Sequence, residues 1–205
     1  MGRVIILNGS PRAASSNSGR YAKIFQKHCS AKTECCNITK SNHSEICSKL
    51  EHFSDALLVF PLYADGIPAT LLLFLKTLEQ NPPENRPVIS VLVNCGFFEY
   101  SQNDTAVDMI RLFCRQNGYR FGASLKIGSG EAILNTPFKM LAAWKIKKLA
   151  AAIAGGKYGD FSVTMPIGVK PFVKASEKYW IDYGKRNGVT KEQMQTKDIE
   201  QRTKS

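Results

Sequence analysis

The sequence predicts an α/β fold: a doubly wound sheet of five parallel strands in the order 2-1-3-4-5, helices on both faces, and a C-terminal extended arm. Three observations lead there. Short apolar runs alternate five times with amphipathic stretches. Several of those runs are nearly continuous, the pattern of strands covered by helices on both sides. Glycine, proline or asparagine punctuates most of the boundaries.

The elements follow in order. Arg3 to Leu7 reads as a buried strand that stops at Asn8-Gly9, and Asn17 to His28 as a helix with Tyr21, Ile24, Phe25 and His28 on one face. Glu34 to Ile38 is a weaker strand, and Glu45 to Phe53 carries Ile46, Leu50 and Phe53 at helical spacing. Ala56 to Phe60 is continuously apolar. Pro68 then opens an apolar helix running to Gln80, because proline tolerates the first helical turn, and Asn81-Pro82-Pro83 ends it. Pro87 to Val93, Asp104 to Gln116, Arg120 to Ile127 and Pro137 to Ile153 repeat the strand–helix alternation. From Pro166 the composition turns to proline, aromatics and lysines without evident periodicity, which predicts a domain over 1–165 and an arm with a polar end over 166–205.

With 205 residues, 43% hydrophobic and 22% charged, the chain suits one well-buried core. No apolar run approaches the ~20 residues of a membrane span, and the first apolar stretch is too short for a signal-peptide core, so the reading expects a cytoplasmic protein with no membrane partner. The six cysteines form neither Cys-x-x-Cys nor a Cys/His ligand spacing; they read as reduced, mostly structural thiols, with no metal site expected. The net charge of +11 comes from scattered lysines and arginines that thicken after position 139. That distribution suggests a solvated face and a basic tail, and no nucleic-acid partner is expected.

In a sheet of this order, ligands bind beyond the carboxyl ends of the strands, where strands 1 and 3 send their helices to opposite faces. The loops there are the unusual segments. Asn8-Gly9-Ser10-Pro11-Arg12 through Ser16-Asn17-Ser18 leads from strand 1 into helix 1. Open backbone N–H groups at a helix start attract an anion, and Ser10, Arg12, Ser16, Asn17 and Ser18 add donors and charge suited to a terminal phosphate. Pro61-Leu62-Tyr63-Ala64-Asp65-Gly66-Ile67-Pro68 offers a stiff, aromatic edge for a flat ring, with Gly66 the residue expected to permit close approach or positive φ. Asn94-Cys95-Gly96-Phe97-Phe98-Glu99 offers backbone donors beside a glycine and aromatic shielding; Gly128-Ser129-Gly130-Glu131 is a weaker fourth candidate. Gly-x-Gly-x-x-Gly is absent from the first loop, and Gly155-Gly156-Lys157 lacks the earlier glycine of a Walker loop.

These loops resemble those of the flavodoxin-like NAD(P)H-dependent FMN reductase and quinone reductase family. Asn8-Gly9-Ser10-Pro11-Arg12 with Ser16-Asn17-Ser18 is similar to that family's phosphate loop, Pro61-x-Tyr63 with Pro68 to its flavin-edge loop, and Asn94 to Glu99 to its third flavin loop. The similarity covers roughly residues 3 to 155. It implies a flavodoxin-like fold, a homodimer, and FMN held at the dimer interface. Ser10, Arg12, Ser16, Asn17 and Ser18 would hold the phosphate; Pro61, Leu62, Tyr63, Asn94, Cys95, Gly96 and Phe97 would line the isoalloxazine.

The chain also departs from the pattern. Leu71-Leu72 stands where many members have Leu-Lys, Lys76 stands near their acidic position, and Cys47 cannot supply the cysteine cluster of iron–sulfur relatives. The implied activity is hydride transfer from NADH or NADPH through FMN to a small acceptor such as a quinone, flavin, nitro or azo compound. The alternative is an FMN-binding carrier reduced by a protein partner. Neither needs a catalytic side chain, and His28, His43 and His52 are assigned none.

Overall fold

The runs Val4–Leu7, Ala56–Phe60 and Ile89–Val93 have too little polar surface to face water on either side, and the fold buries them on both. A computed structural model describes residues 2–196. Within residues 1–165 the order is β1 (Arg3–Asn8), α1 (Asn17–His28), β2 (Lys32–Asn37), α2 (His43–Leu50), β3 (Asp55–Pro61), α3 (Ala69–Gln80), β4 (Val88–Asn94), α4 (Asp104–Gln116), β5 (Phe121–Ile127), α5 (Lys139–Ala154) and β6 (Asp160–Val163). Every strand pair is parallel, in the order β2-β1-β3-β4-β5-β6.

The expected order of the first five strands holds, but the sheet has six strands. The sixth is only four residues with one buried position, too short and too polar to register as a periodic apolar run. It is tied in by polar contacts instead. Arg111 of α4 donates to both carboxylate oxygens of Asp160 at 2.8 and 2.9 Å, and the Ser124 hydroxyl of β5 donates to it at 2.6 Å.

Strand side chains alternate between the two faces. Ile5, Leu7, Leu58, Phe60, Val91 and Val93 form a single core with Ile46 and Leu50 of α2, Leu71, Phe74 and Leu78 of α3, and Val107 and Ile110 of α4. On the other face α1 packs against α5, β1 and β3, and α5 against β5 and β6.

The segment 166–205 is a second compact unit, and here the expected extended arm is not what forms. Val169–Arg186 is an 18-residue helix, α6, and Lys191–Gln195 a short helix, α7, opened by a capping box between Thr190 and Gln193. Pro171 lies in the first turn of α6, where a missing N–H costs nothing. The polar end expected from Asn187 therefore contains α7; its last residues, 197–205, lie outside the described residues.

Phe74 is fully buried, so Phe74→Ala should lower unfolding free energy by about 3–5 kcal/mol in urea denaturation. Burial pushes the Asp160 carboxyl up, but the Ser124 hydroxyl and the Arg111 guanidinium outweigh it and hold the group below the ordinary carboxylate range. Its stabilisation is therefore present above about pH 4 and lost as pH falls through the folded value. Urea midpoints measured between pH 6 and pH 3 should fall less steeply in Asp160→Asn than in the parent.

Candidate functional site

In-register pairing sets the ends of the central strands side by side: Asn8 opposite Val59, Pro61 opposite Asn94, and Asn94 opposite Ile127. The loops that leave these ends enclose a cleft of about 140 Å³. Its walls are Ser10, Arg12, Ser16, Asn17 and Ser18 from the first loop and α1, Pro61, Leu62 and Tyr63 from the end of β3, Asn94, Cys95 and Gly96 from the end of β4, and Glu131. Eleven of the twelve residues singled out from the sequence meet there. Phe97 is not among the lining residues and stands 54% exposed.

Asn8 shapes the first loop. Its buried side-chain amide donates to the Ala13 carbonyl and to Asn37 Oδ1, both at 2.9 Å, while its Oδ1 accepts from the Ser10 N–H at 3.1 Å. The loop turns through Ala13 at φ 46°, a left-handed conformation that a non-glycine residue holds only when its surroundings fix it. Ser16 then caps α1, accepting from the Gly19 N–H at 3.0 Å and donating to the Ala13 carbonyl at 2.5 Å. Its hydroxyl is thereby committed to the loop. The N–H groups of Asn17 and Ser18 lie at the open, partly positive end of the helix.

The Ser18 hydroxyl accepts from Asn94 Nδ2 at 3.0 Å, and the same Asn94 amide donates to the Phe60 carbonyl at 3.1 Å. One side chain thus links α1, β3 and β4. Ser18 retains its own proton to donate. Ser10, Ser16 and Ser18 are all buried, Arg12 is exposed and Asn17 half-exposed. Together they form a donor-rich mouth suited to an anion.

The second loop closes on itself. Tyr63 and Gly66 exchange backbone hydrogen bonds at 3.0 and 2.9 Å around a two-residue turn. Of the two roles expected for Gly66, positive φ falls instead to Ala64 at 44° and Asp65 at 56°, both signs fitting a type I′ hairpin, while a Cβ on Gly66 would come within 3.3 Å of the Met109 sulfur. Such a turn needs positive φ at its two central residues, and Gly66 is the one after them.

In the third loop the Cys95 thiol turns inward, accepting from Asn103 Nδ2 at 3.3 Å, and burial pushes its pKa up. Cys95 therefore offers the cleft backbone rather than a reactive thiolate.

The fourth loop matters more than its sequence suggests. Gly130 donates to the Cys95 carbonyl at 2.7 Å and accepts from the fully buried Tyr21 hydroxyl at 2.5 Å. A Cβ on Gly128 would collide with the Phe98 carbonyl. These close approaches bring Glu131 into the cleft wall. Arg20 braces the same region, bonding Asn17 Oδ1 at 3.2 Å, Asn135 Oδ1 at 3.2 Å and the Leu134 carbonyl at 3.3 Å. The Gly-Ser-Gly spacing signalled a close approach, but nothing local told which loop it would approach. Asn8 and Arg20, too, each add distant partners to local ones, Asn37 for Asn8 and Leu134 and Asn135 for Arg20.

No protein-family model and no curated sequence matches the chain. Solved structures do match. The NAD(P)H:quinone oxidoreductase from Methanothermobacter marburgensis superposes with a TM-score of 0.59 at 12% identity, covering 74% of this chain and 95% of that one. An FMN-dependent NADH-azoreductase from Bacillus anthracis, solved in complex with FMN, gives 0.55 at 14%, covering 75% and 100%. Rubredoxin oxygen:oxidoreductase from Desulfovibrio gigas gives 0.56 at 15% over 77% of this chain, which spans only 36% of that larger protein. Flavodoxins match as well. The fold is flavodoxin-like. The family that the loop motifs resemble is represented among these structures, and in this flavodoxin-like chain the motif residues occupy the carboxyl ends of the sheet.

Ser16→Ala removes the cap of α1 and should cost about 1 kcal/mol in urea unfolding. A loss much smaller than this would mean that the loop is held without the cap.

Proposed function

We propose that the chain is an FMN-dependent oxidoreductase that takes a hydride from NADH or NADPH and passes it to a small acceptor, a quinone, flavin, nitro or azo compound. One observation carries the reading: Ser10, Arg12, Asn17 and Ser18 converge on the open end of α1, at the point where the strand order reverses. The FMN-bound azoreductase and the quinone oxidoreductase of the same fold support it.

The residues present fit a phosphate monoester. The hydroxyls of Ser10 and Ser18, the guanidinium of Arg12, the Asn17 amide and the first N–H groups of α1 would hold it; Ser16 contributes by fixing the loop. Asn94 donates into Ser18 Oγ and so turns the Ser18 proton toward an acceptor other than itself. Pro61, Leu62 and Tyr63 on one side and the backbone of Asn94, Cys95 and Gly96 on the other would flank the ring. The hydride chemistry comes from the flavin when it is bound; the protein positions it and limits water around it. Tyr63 on the second loop and Phe97 and Tyr100 at and after the third are each about half exposed and leave apolar surface for a second copy to cover, which supports a homodimer.

An electron carrier reduced by a protein partner is the second reading, favoured by the net charge of +11, which suits an acidic redox protein. Anaerobic mixing with NADH or NADPH separates the two, since a carrier would leave the flavin absorbance unbleached. Arg12→Ala and Asn17→Ala should each weaken FMN binding by roughly tenfold or more in a fluorescence-quenching titration. Unchanged affinity in both variants would place the phosphate elsewhere, and no binding by the parent protein would refute the FMN reading.

A further inference from the structure

Both tryptophans of the chain lie outside the core, each 51% exposed on a helix. That is unusual for the residue with the most apolar surface to hide. Trp180 belongs to α6, whose amphipathic pattern is clear once its helical geometry is known. Val169, Phe172, Val173, Tyr179, Trp180 and Tyr183 fall within an arc of about 120° at 3.6 residues per turn. Only Gly184 of the eighteen residues is buried. Val169, Val173, Trp180 and Tyr183 are each about half exposed.

The aromatic rings are already assembled. Trp180 meets Tyr179 and Tyr183 edge-on at 5.3 and 5.9 Å, and the two tyrosines stack at 6.4 Å. A groove between α6 and α7 adjoins the same face; its apolar wall is Phe172, Val173, Trp180, Ile181 and Met194, with Glu177 and Lys191 among its polar residues. The rest of the helix surface is basic: Lys170, Lys174, Lys178, Lys185 and Arg186 against Glu177 and Asp182.

From this arrangement we infer that α6 docks on an anionic phospholipid surface, lying in the interface with its aromatic face among the headgroups. The composition matches what such a surface selects. Tryptophan and tyrosine favour the headgroup boundary because one end is apolar and the other wet, and long lysine stems bury methylenes while their charges reach lipid phosphates. The charge of the whole chain, +11, attracts the same surface at longer range. It opposes the pairing of two such faces from identical copies, each carrying the same excess of lysine. The sequence-based expectation of no membrane partner rested on the lack of a spanning segment, and no helix among the described residues is long and apolar enough to cross a bilayer. An interfacial helix needs no span.

The test uses the full-length chain carrying Trp144→Phe, so that Trp180 is the sole tryptophan fluorophore. Vesicles of phosphatidylcholine with about one-third phosphatidylglycerol should shift its emission to the blue and co-sediment with the protein. Pure phosphatidylcholine should bind at least tenfold more weakly, and added salt should weaken the anionic binding. Val173→Glu, at an exposed position, should abolish both signals while circular dichroism stays unchanged; Trp180→Ala, read by sedimentation in the parent chain, should do the same. Equal binding to both vesicle types, or none to either, overturns the inference. So does a blue shift that grows with protein concentration without lipid, which would assign the face to a second copy. None of these readouts depends on FMN.

Discussion

Two asparagine side chains hold the functional end of this sheet open. Where β1 and β3 send their helices to opposite faces, the ladder ends and backbone groups lose their partners. Asn8 satisfies the loop beyond β1 through Ala13, Ser10 and Asn37; Asn94 donates to the Phe60 carbonyl near the end of β3 and reaches Ser18 on α1. Both are buried, and both bond elements far apart in sequence. The cleft walls stand on these bonds, since without them the strand ends would bury unsatisfied polar groups or admit water.

The rest of the molecule makes those bonds rigid. A parallel sheet packed by helices on both faces cannot slip in register without breaking the close packing between strand and helix side chains, so the strand ends stay aligned. The loop glycines 128 and 130 then let the chain after β5 press against the Cys95 and Phe98 backbone, adding a fourth wall. Apolar packing sets the positions, hydrogen bonds set the loop shapes, and the open end of α1 supplies the local field. Under the proposed reading, precise placement of a bound ring and its phosphate would need all three.

Charge is distributed differently from structure. The strands and the cleft use few ionic contacts. The ion pairs involve exposed or part-exposed groups, such as Arg111 with Asp160 and Lys126 with Asp104, the last strengthening the hold of α4 on β5. The basic excess gathers in α5, with four lysines and no acid, and in α6. Lysines 145 and 148 lie over the ring of Trp144 on α5.

The layers of the sheet, its first five strands with their order, and the three loops that supply most of the cleft wall are all legible in the amino-acid sequence. Those features are written in local terms: α1 spans Asn17–His28 and α4 Asp104–Gln116, the very limits that periodicity and end signals mark. Eleven of the twelve singled-out residues share the cleft because strand order alone dictates which loops meet. The remainder came from the folded chain. Folding left Phe97 out of the cleft wall and brought Glu131 into it, gave positive φ to Ala64 and Asp65 rather than Gly66, added a β6 held by Asp160, and made a helix of Val169–Arg186 where proline and aromatics suggested extended chain. The turn at Ala64 and Asp65 is closed locally by Tyr63 and Gly66, but for most of the other differences the deciding partners are not sequence neighbours. A loop residue's direction and a short strand's pairing depend on groups many positions away, and α6 carries its pattern in scattered aromatics that align only after the chain has turned into a helix.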